Sequence, residues 1–164
     1  MHKRINRHFQ HYTIFSTAIA EVTGSPKYPG IRGRVTFKQQ PTGVLVTAEM
    51  RGLPFSDIQC KNRIFAFHVH EGTSCRGNEE DPFADAKGHY NPGGCPHPYH
   101  AGDMPPLFGN KGYAYLSFFT DRFTVHEIIG RVVIIHSHPD DFTTQPSGGS
   151  GEKIACGKIK LLQA

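Results

Sequence analysis

The chain of 164 residues is long enough for one domain with a sizeable core and too short for two comfortable ones. Its formal net charge is +4, but apart from residues 1–8 the basic residues stand singly, so nucleic-acid binding is not expected. Because no apolar run is long enough to span a membrane, we expect one soluble domain over residues 1–164, with an N-terminal extension over 1–12 and no membrane partner.

Seven runs rich in β-branched and aromatic residues follow one another between clusters of glycine, proline and asparagine. They lie at 13–22, 33–39, 43–53, 64–70, 112–120, 130–136 and 155–162. Val35 and Phe37 alternate with residues of the opposite face, as do Val44, Val46 and Ala48, which is the period of a strand. No segment longer than a turn has helical periodicity. The pattern predicts an all-β antiparallel sandwich or barrel.

Two long stretches between strands, at about 71–107 and 137–152, are predicted to be loops. Loops of such length in a compact domain are usually functional. Both begin directly after a strand that ends in histidine, and both contain histidine and aspartate. We therefore expect a metal site outside the sheet, covered by the two loops.

Four histidines indicate one half of this site. His68 and His70 stand two apart on a strand, so their rings project from the same face and can bind one ion, although two exposed strand histidines are the alternative. His136 ends its strand, and His89 lies in the turn GHYNP. Neutral imidazole is a common ligand of transition metals, which points to copper, zinc or both.

The segment HPYHAGD indicates the other half. His97, His100 and Asp103 lie three apart in a loop rich in proline and glycine, and two nitrogens with one carboxylate oxygen suit tetrahedral Zn²⁺. A polar loop with incidental histidines is the alternative. Asp140, four residues after His136, is an eighth candidate.

The ordered motifs FHVHE, GHYNP, HAGD, GRVVIIH, PDD and ACG together resemble the copper/zinc superoxide dismutase family over residues 18–161. The resemblance implies an eight-stranded Greek-key β-barrel or sandwich, immunoglobulin-like in type, with two long loops forming the metal site. It also implies an oxidoreductase that converts superoxide to dioxygen and hydrogen peroxide by redox cycling of copper, with zinc as structural partner.

The family's site residues carry over by matching motif. The resemblance implies copper ligands at His68, His70, His89 and His136, and zinc ligands at His89, His97, His100 and Asp103. His89 is then the imidazolate that bridges the metals and accepts a proton during turnover. Asp140 is the carboxylate that links His68 to His97.

The four cysteines have no CxxC spacing, which argues against a zinc knuckle and leaves one or two disulfides or free thiols. The resemblance implies a disulfide between Cys75 and Cys156. Cys60 and Cys95 are left over, and we favour free thiols over an extra bridge or a stray metal ligand.

Two positions depart from the family pattern. Lys153 stands where the family has an arginine that guides the anion beside copper. The charge is kept, but the planar two-pronged donor is lost, which predicts weaker and more salt-sensitive steering. His97 and His100 are also closer in sequence than in familiar eukaryotic members, so the zinc loop is short, and Gly102 is expected to permit its tight turn.

The main rival function is a non-catalytic copper/zinc-binding member of the same fold, a metal store or carrier. Such a protein is expected to lose a copper ligand or the charge at position 153, and this chain keeps both. The resemblance adds superoxide as the small-molecule partner and a possible homodimer. No signal peptide is visible, which predicts a cytoplasmic protein if the chain is complete and an extracytoplasmic one if its start has been trimmed.

Overall fold

The computed structural model describes residues 16–58 and 63–162. Within these ranges the chain forms strands, one α-helical turn and one 3-10 turn. The strands are β1 (Thr17–Gly24), β2 (Arg32–Gln40), β3 (Gly43–Arg51), β4 (Ile64–Phe65), β5 (Phe67–His70), β6 (Leu107–Phe108), β7 (Ala114–Thr120), β8 (Val132–His136) and β9 (Lys153–Leu161). The α-helical turn α1 is Val125–Ile128, and the 3-10 turn is Ala84–Ala86.

Every strand pairing in the described chain is antiparallel. Seven strands form one curled sheet in the order β5-β8-β9-β1-β2-β3-β7, and β4 pairs with β6. The order of strands in the sheet differs from their order in the chain. β7 pairs with β3, and β8 lies between β5 and β9, which requires crossover connections. Only Ala66 separates β4 from β5, so these nine segments make eight strands when the two are taken as one. The predicted eight-stranded Greek-key β fold is confirmed.

The main core lies on the concave side of this sheet. Val35, Phe37, Val44, Val46 and Ala48 are all fully buried there, as their alternation predicts. Their neighbours along the strands are less buried because successive side chains point to opposite faces.

A second, smaller core lies on the outer face of β8. Val133 and Ile135 face the main core, whereas Val132 and Ile134 pack against residues of the first long loop, among them Phe83. β8 is therefore buried on both faces, which explains its uninterrupted apolar sequence. This packing fixes the first loop against the barrel.

The sequence analysis missed one strand. β6 has two residues, Leu107 and Phe108, between Pro106 and Gly109, and so short a run carries no periodicity. The long stretches at 71–106 and 137–152 otherwise contain only the 3-10 turn as regular structure. Among the described residues, no helix is long and apolar enough to cross a membrane.

Candidate metal centre

Strand geometry brings three histidines to one place. Phe67 and Val69 of β5 face the main core, so His68 and His70 point to the opposite, outer face. His136 ends β8, the strand paired with β5. All three are buried, with exposures of 0%, 2% and 4%. The strand histidines are therefore not the exposed pair that was the alternative.

Backbone hydrogen bonds bring the first loop alongside β5. Val69 N–H donates to the carbonyl of Gly102 (2.9 Å), and Tyr90 N–H donates to the carbonyl of Val69 (2.8 Å). A Cβ on residue 102 would collide with the carbonyl oxygen of Val69, so the close approach requires glycine. This pairing places His89 and Asp103 next to the histidines of β5.

One set of four nitrogen donors results, with all ligand atoms within 4.8 Å of one another: His68, His70, His89 and His136. His70 Nδ1 lies 2.8 Å from the carbonyl oxygen of Lys87, and since a carbonyl only accepts, Nδ1 carries the hydrogen. Its Nε2 therefore keeps a free lone pair, and it lies 3.2 Å from His136 Nε2.

A second set meets the same 4.8 Å criterion and contains His89, His97, His100 and Asp103. His89 Nδ1 lies 2.7 Å from Asp103 Oδ1 and 3.3 Å from His100 Nδ1. His97 Nδ1 lies 3.1 Å from Asp103 Oδ2 without hydrogen-bond geometry. His89 belongs to both sets, so the short loop between His97 and His100 still brings these donors together.

Whether these sets fit metal ions can be judged from ring nitrogens that have no hydrogen-bond partner. Three buried ring nitrogens have no hydrogen-bond partner within the described chain: His68 Nδ1, His89 Nε2 and His97 Nδ1. A buried polar atom left unpaired is costly and rare, and a bound cation is one of its ordinary explanations. Four imidazoles suit copper, and three imidazoles with a carboxylate suit zinc. The residues therefore fit both ions.

Asp140 sets the hydrogen position on two of these rings. Its Oδ2 accepts from His68 Nε2 and its Oδ1 from His97 Nε2, both at 2.8 Å. Since a carboxylate only accepts, each ring carries its hydrogen on Nε2 and offers Nδ1 to a metal. Burial opposes ionisation, but the bonds from His68, His97 and Phe142 N–H outweigh it and hold the pKa of Asp140 well below its usual range.

Three histidines of the site, His68, His70 and His136, have pKa values well below the ordinary one and are neutral at physiological pH. Burial is the main cause and lowers the pKa of His68 to about 4. Burial, together with the neighbouring imidazoles, also holds the pKa values of His70 and His136 well below the ordinary 6.5. Neutral imidazole is the form that binds metal, so these three rings can bind a cation without first losing protons.

Two residues of the second loop were missed by the sequence analysis. Gln145 binds the backbone of His97 twice, accepting from its N–H (3.0 Å) and donating to its carbonyl (2.7 Å). A Cβ on Gly148, where φ is +70°, would collide with Asp140 Oδ1. Nothing in the sequence connects Gln145 with His97, 48 positions away. The run GGSG at 148–151, by contrast, is a signal for a backbone conformation that requires glycine.

Lys153, at the start of β9, lines an open cleft of about 1420 Å³ together with His70 and His136. Its ammonium forms an ion pair with Asp81 of the first loop, and its side chain is only 17% exposed. Sequence analysis did not find this partner, because Asp81 lies 72 residues earlier in an acidic run with no distinguishing spacing.

The predicted disulfide is confirmed. Cys75 and Cys156 are bonded, with their Cα atoms 5.7 Å apart, and the bond joins the first loop to β9 beside the second core. Cys95 is exposed and free. Cys60 and the extension over 1–12 lie outside the described residues.

Comparison with known proteins agrees with this geometry. Residues 31–159 match the family model for copper/zinc superoxide dismutase. The chain belongs to the copper/zinc superoxide dismutase family. The predicted family is therefore confirmed.

Individual superoxide dismutases are similar over most of their length. Superoxide dismutase [Cu-Zn] of Legionella pneumophila is 34% identical over 158 residues, which cover 88% of this chain and 91% of that protein. Superoxide dismutase [Cu-Zn] 2 of Aquifex aeolicus is 34% identical over 143 residues, 78% of each chain. Superoxide dismutase [Cu-Zn] of Deinococcus radiodurans is 32% identical over 150 residues, 80% of this chain and 79% of that one.

Proposed function

We propose that this chain is a superoxide dismutase. Two superoxide anions and two protons become one dioxygen and one hydrogen peroxide, so one substrate molecule is oxidised and the other reduced. The observation that carries the proposal is the pair of buried donor sets that share His89. One set would hold a redox metal and the other a structural metal, as expected for a copper/zinc superoxide dismutase.

Each of the two donor sets would hold a different metal. His68, His70, His89 and His136 would hold copper, and His89, His97, His100 and Asp103 would hold zinc. Bound copper would supply the one-electron exchange with superoxide, and bound zinc would supply fixed geometry and positive charge.

The chain's own groups prepare the site for this chemistry. Neutral rings present lone pairs, and Asp140 keeps His68 and His97 in the required tautomer. His89, whose Nε2 is unpartnered and whose Nδ1 faces Asp103, is placed to hold a proton at Nε2 during turnover.

Substrate access is through the cleft that Lys153 lines. A cation there attracts an anionic substrate, but Asp81 partly cancels its charge. The other charged residues that line the cleft are the acidic Glu71, Glu79, Glu80 and Glu152 and the basic Lys27 and Lys87, so acidic groups outnumber basic ones there. Steering by this cleft is therefore expected to be weaker than the net charge of the whole chain suggests.

The test compares His136→Ala with His138→Ala. His136 belongs to the copper set, whereas His138 is an exposed histidine two residues later and outside both sets. We expect superoxide in a stopped-flow assay to decay no faster with His136→Ala than without protein, while the circular dichroism spectrum stays that of the wild type, and His138→Ala to keep its activity. Full turnover by a folded His136→Ala protein would contradict the proposal.

The metal store or carrier is the second candidate, and it would bind both metals without turnover. Superoxide as the substrate follows from the proposed reaction. The single-domain organisation, the homodimer, the lack of nucleic-acid and membrane partners, and the compartment stay predictions.

A further inference from the structure

Arg122 contacts residues 97–103, the part of the first long loop that carries three of the four predicted zinc ligands. It lies between β7 and α1, far from that loop in sequence. Its Nη1 donates to the backbone carbonyls of Pro98 (3.1 Å), His100 (3.4 Å) and Asp103 (3.4 Å). Three acceptors share the two hydrogens of one nitrogen, which accounts for the longer distances.

The base of Arg122 is fixed on the barrel. Its backbone N–H donates to Thr120 Oγ1 at the end of β7 (3.2 Å). The next residue, Phe123, is 3% exposed and packs edge-on against Phe37 in the main core, with ring centroids 6.2 Å apart. The guanidinium therefore holds the loop at a fixed position relative to the barrel.

The described stretch from residue 71 to 106 has one 3-10 turn as its regular structure, so contacts with other elements hold its conformation. The turn 100–103 is bonded to Val69 and Tyr90 through Gly102, and two short-range bonds close it. These run from His100 N–H to Asp103 Oδ2 (3.0 Å) and from Asp103 N–H to the His100 carbonyl (3.2 Å). The first of these bonds uses the carboxylate of Asp103, which is also a predicted zinc ligand.

We propose that Arg122 is a positioning residue for the zinc site. It holds three carbonyls on the backbone side of the loop, so the donors of His97, His100 and Asp103 stay together before the ion arrives. Preorganised ligands bind more tightly because less conformational freedom is lost on binding. The inference rests on the proposed zinc assignment and adds a residue that touches no metal.

The experiment titrates metal-free protein with zinc against a chromophoric chelator. Arg122→Ala is compared with Arg122→Lys and with Arg34→Ala, which removes an exposed arginine paired with Glu21 on the sheet. We expect Arg122→Ala to weaken zinc binding roughly 10- to 100-fold, the range found when residues that support metal ligands are lost. Arg122→Lys should recover only part of the loss, because one ammonium lacks the planar fork. Arg34→Ala should bind zinc like the wild type.

Two further readouts separate positioning from general stability. Co²⁺ in place of zinc should give an altered visible absorption spectrum in Arg122→Ala, whereas copper affinity should change less than twofold by our estimate, since no ligand particular to the copper set is contacted. Zinc affinity and Co²⁺ spectrum equal to those of the wild type would overturn the inference. A wild-type protein that binds no zinc would instead overturn the proposed function, and if Arg122→Ala does not fold, the Arg122→Lys titration decides.

Discussion

Replacing Asp140 with asparagine keeps the shape of the side chain and removes its charge and one acceptor oxygen. In the structure, Oδ1 and Oδ2 each accept a 2.8 Å hydrogen bond from a different imidazole, and Oδ1 also accepts from Phe142 N–H (2.7 Å). An asparagine oxygen can replace only one of the two carboxylate oxygens. The other ring then faces an NH₂ group and must either lose its bond or move its hydrogen to the nitrogen that would bind metal.

The magnitude follows from that lost bond. A hydrogen bond to a charged group contributes about 1.5–3 kcal/mol, and about 1.4 kcal/mol corresponds to a tenfold change in affinity. Asp140→Asn should therefore weaken metal binding roughly 10- to 100-fold, in line with the effect of second-shell substitutions. Because copper binds such sites more tightly than zinc does, zinc occupancy should fall first.

The assay is metal content after dialysis against a chelator. Asp141→Asn is the matched control, because it removes the neighbouring charge, and the Asp141 side chain bonds only to Thr143 and Thr144. We expect zinc to become substoichiometric in Asp140→Asn and to stay with Asp141→Asn. Equal zinc retention by the two variants would refute the role assigned to Asp140.

Three other perturbations have defined outcomes. Asp81→Asn removes the ion-pair partner of the cleft lysine and should raise the rate of superoxide decay roughly two- to tenfold at low ionic strength, with no gain in high salt; a slower rate would contradict the steering argument. Replacing Cys75 and Cys156 by serine opens a loop with a sequence separation of 81, for which chain entropy predicts a loss of roughly 4.5 kcal/mol in the free energy of unfolding, and an unchanged denaturant midpoint would exclude it. Hydrogen bonds from the side chain and N–H of Thr144 and from the N–H of Thr143 lower the pKa of Asp141 from 3.8 to about 2. The contribution of Asp141 to the free energy of unfolding is therefore complete above pH 3.8 and is lost as the pH falls through about 2. Asp141→Asn should therefore unfold more easily than the wild type near neutral pH and equally easily at the acid end, and a stability difference that persists there would disprove this origin.

The sequence predicts those parts of the site that depend on strand period. His68, His70 and His136 follow from alternation along two strands, and the same alternation gives the buried positions of Val35 and Phe37. Local rules suffice for these residues because a strand fixes where each side chain points.

The contacts between loops are different. Three contacts join residues 19 to 72 positions apart, and no spacing rule connects them: Asp81 with Lys153, Gln145 with His97, and Arg122 with the zinc loop. The backbone bonds from β5 to the first loop place His89 and Asp103, and they depend on a tertiary approach that Gly102 permits. Family resemblance supplied the pairing of these ligands, which residue patterns left open.

The central claim is that copper held by the four-histidine set turns over superoxide. The most direct test measures copper content, zinc content and superoxide decay on one preparation, loaded either with both metals or with zinc alone. The account predicts stoichiometric binding of both metals and rapid decay only when copper is present. Stoichiometric copper and zinc without turnover would contradict it and would identify the chain as a metal-binding member of the family.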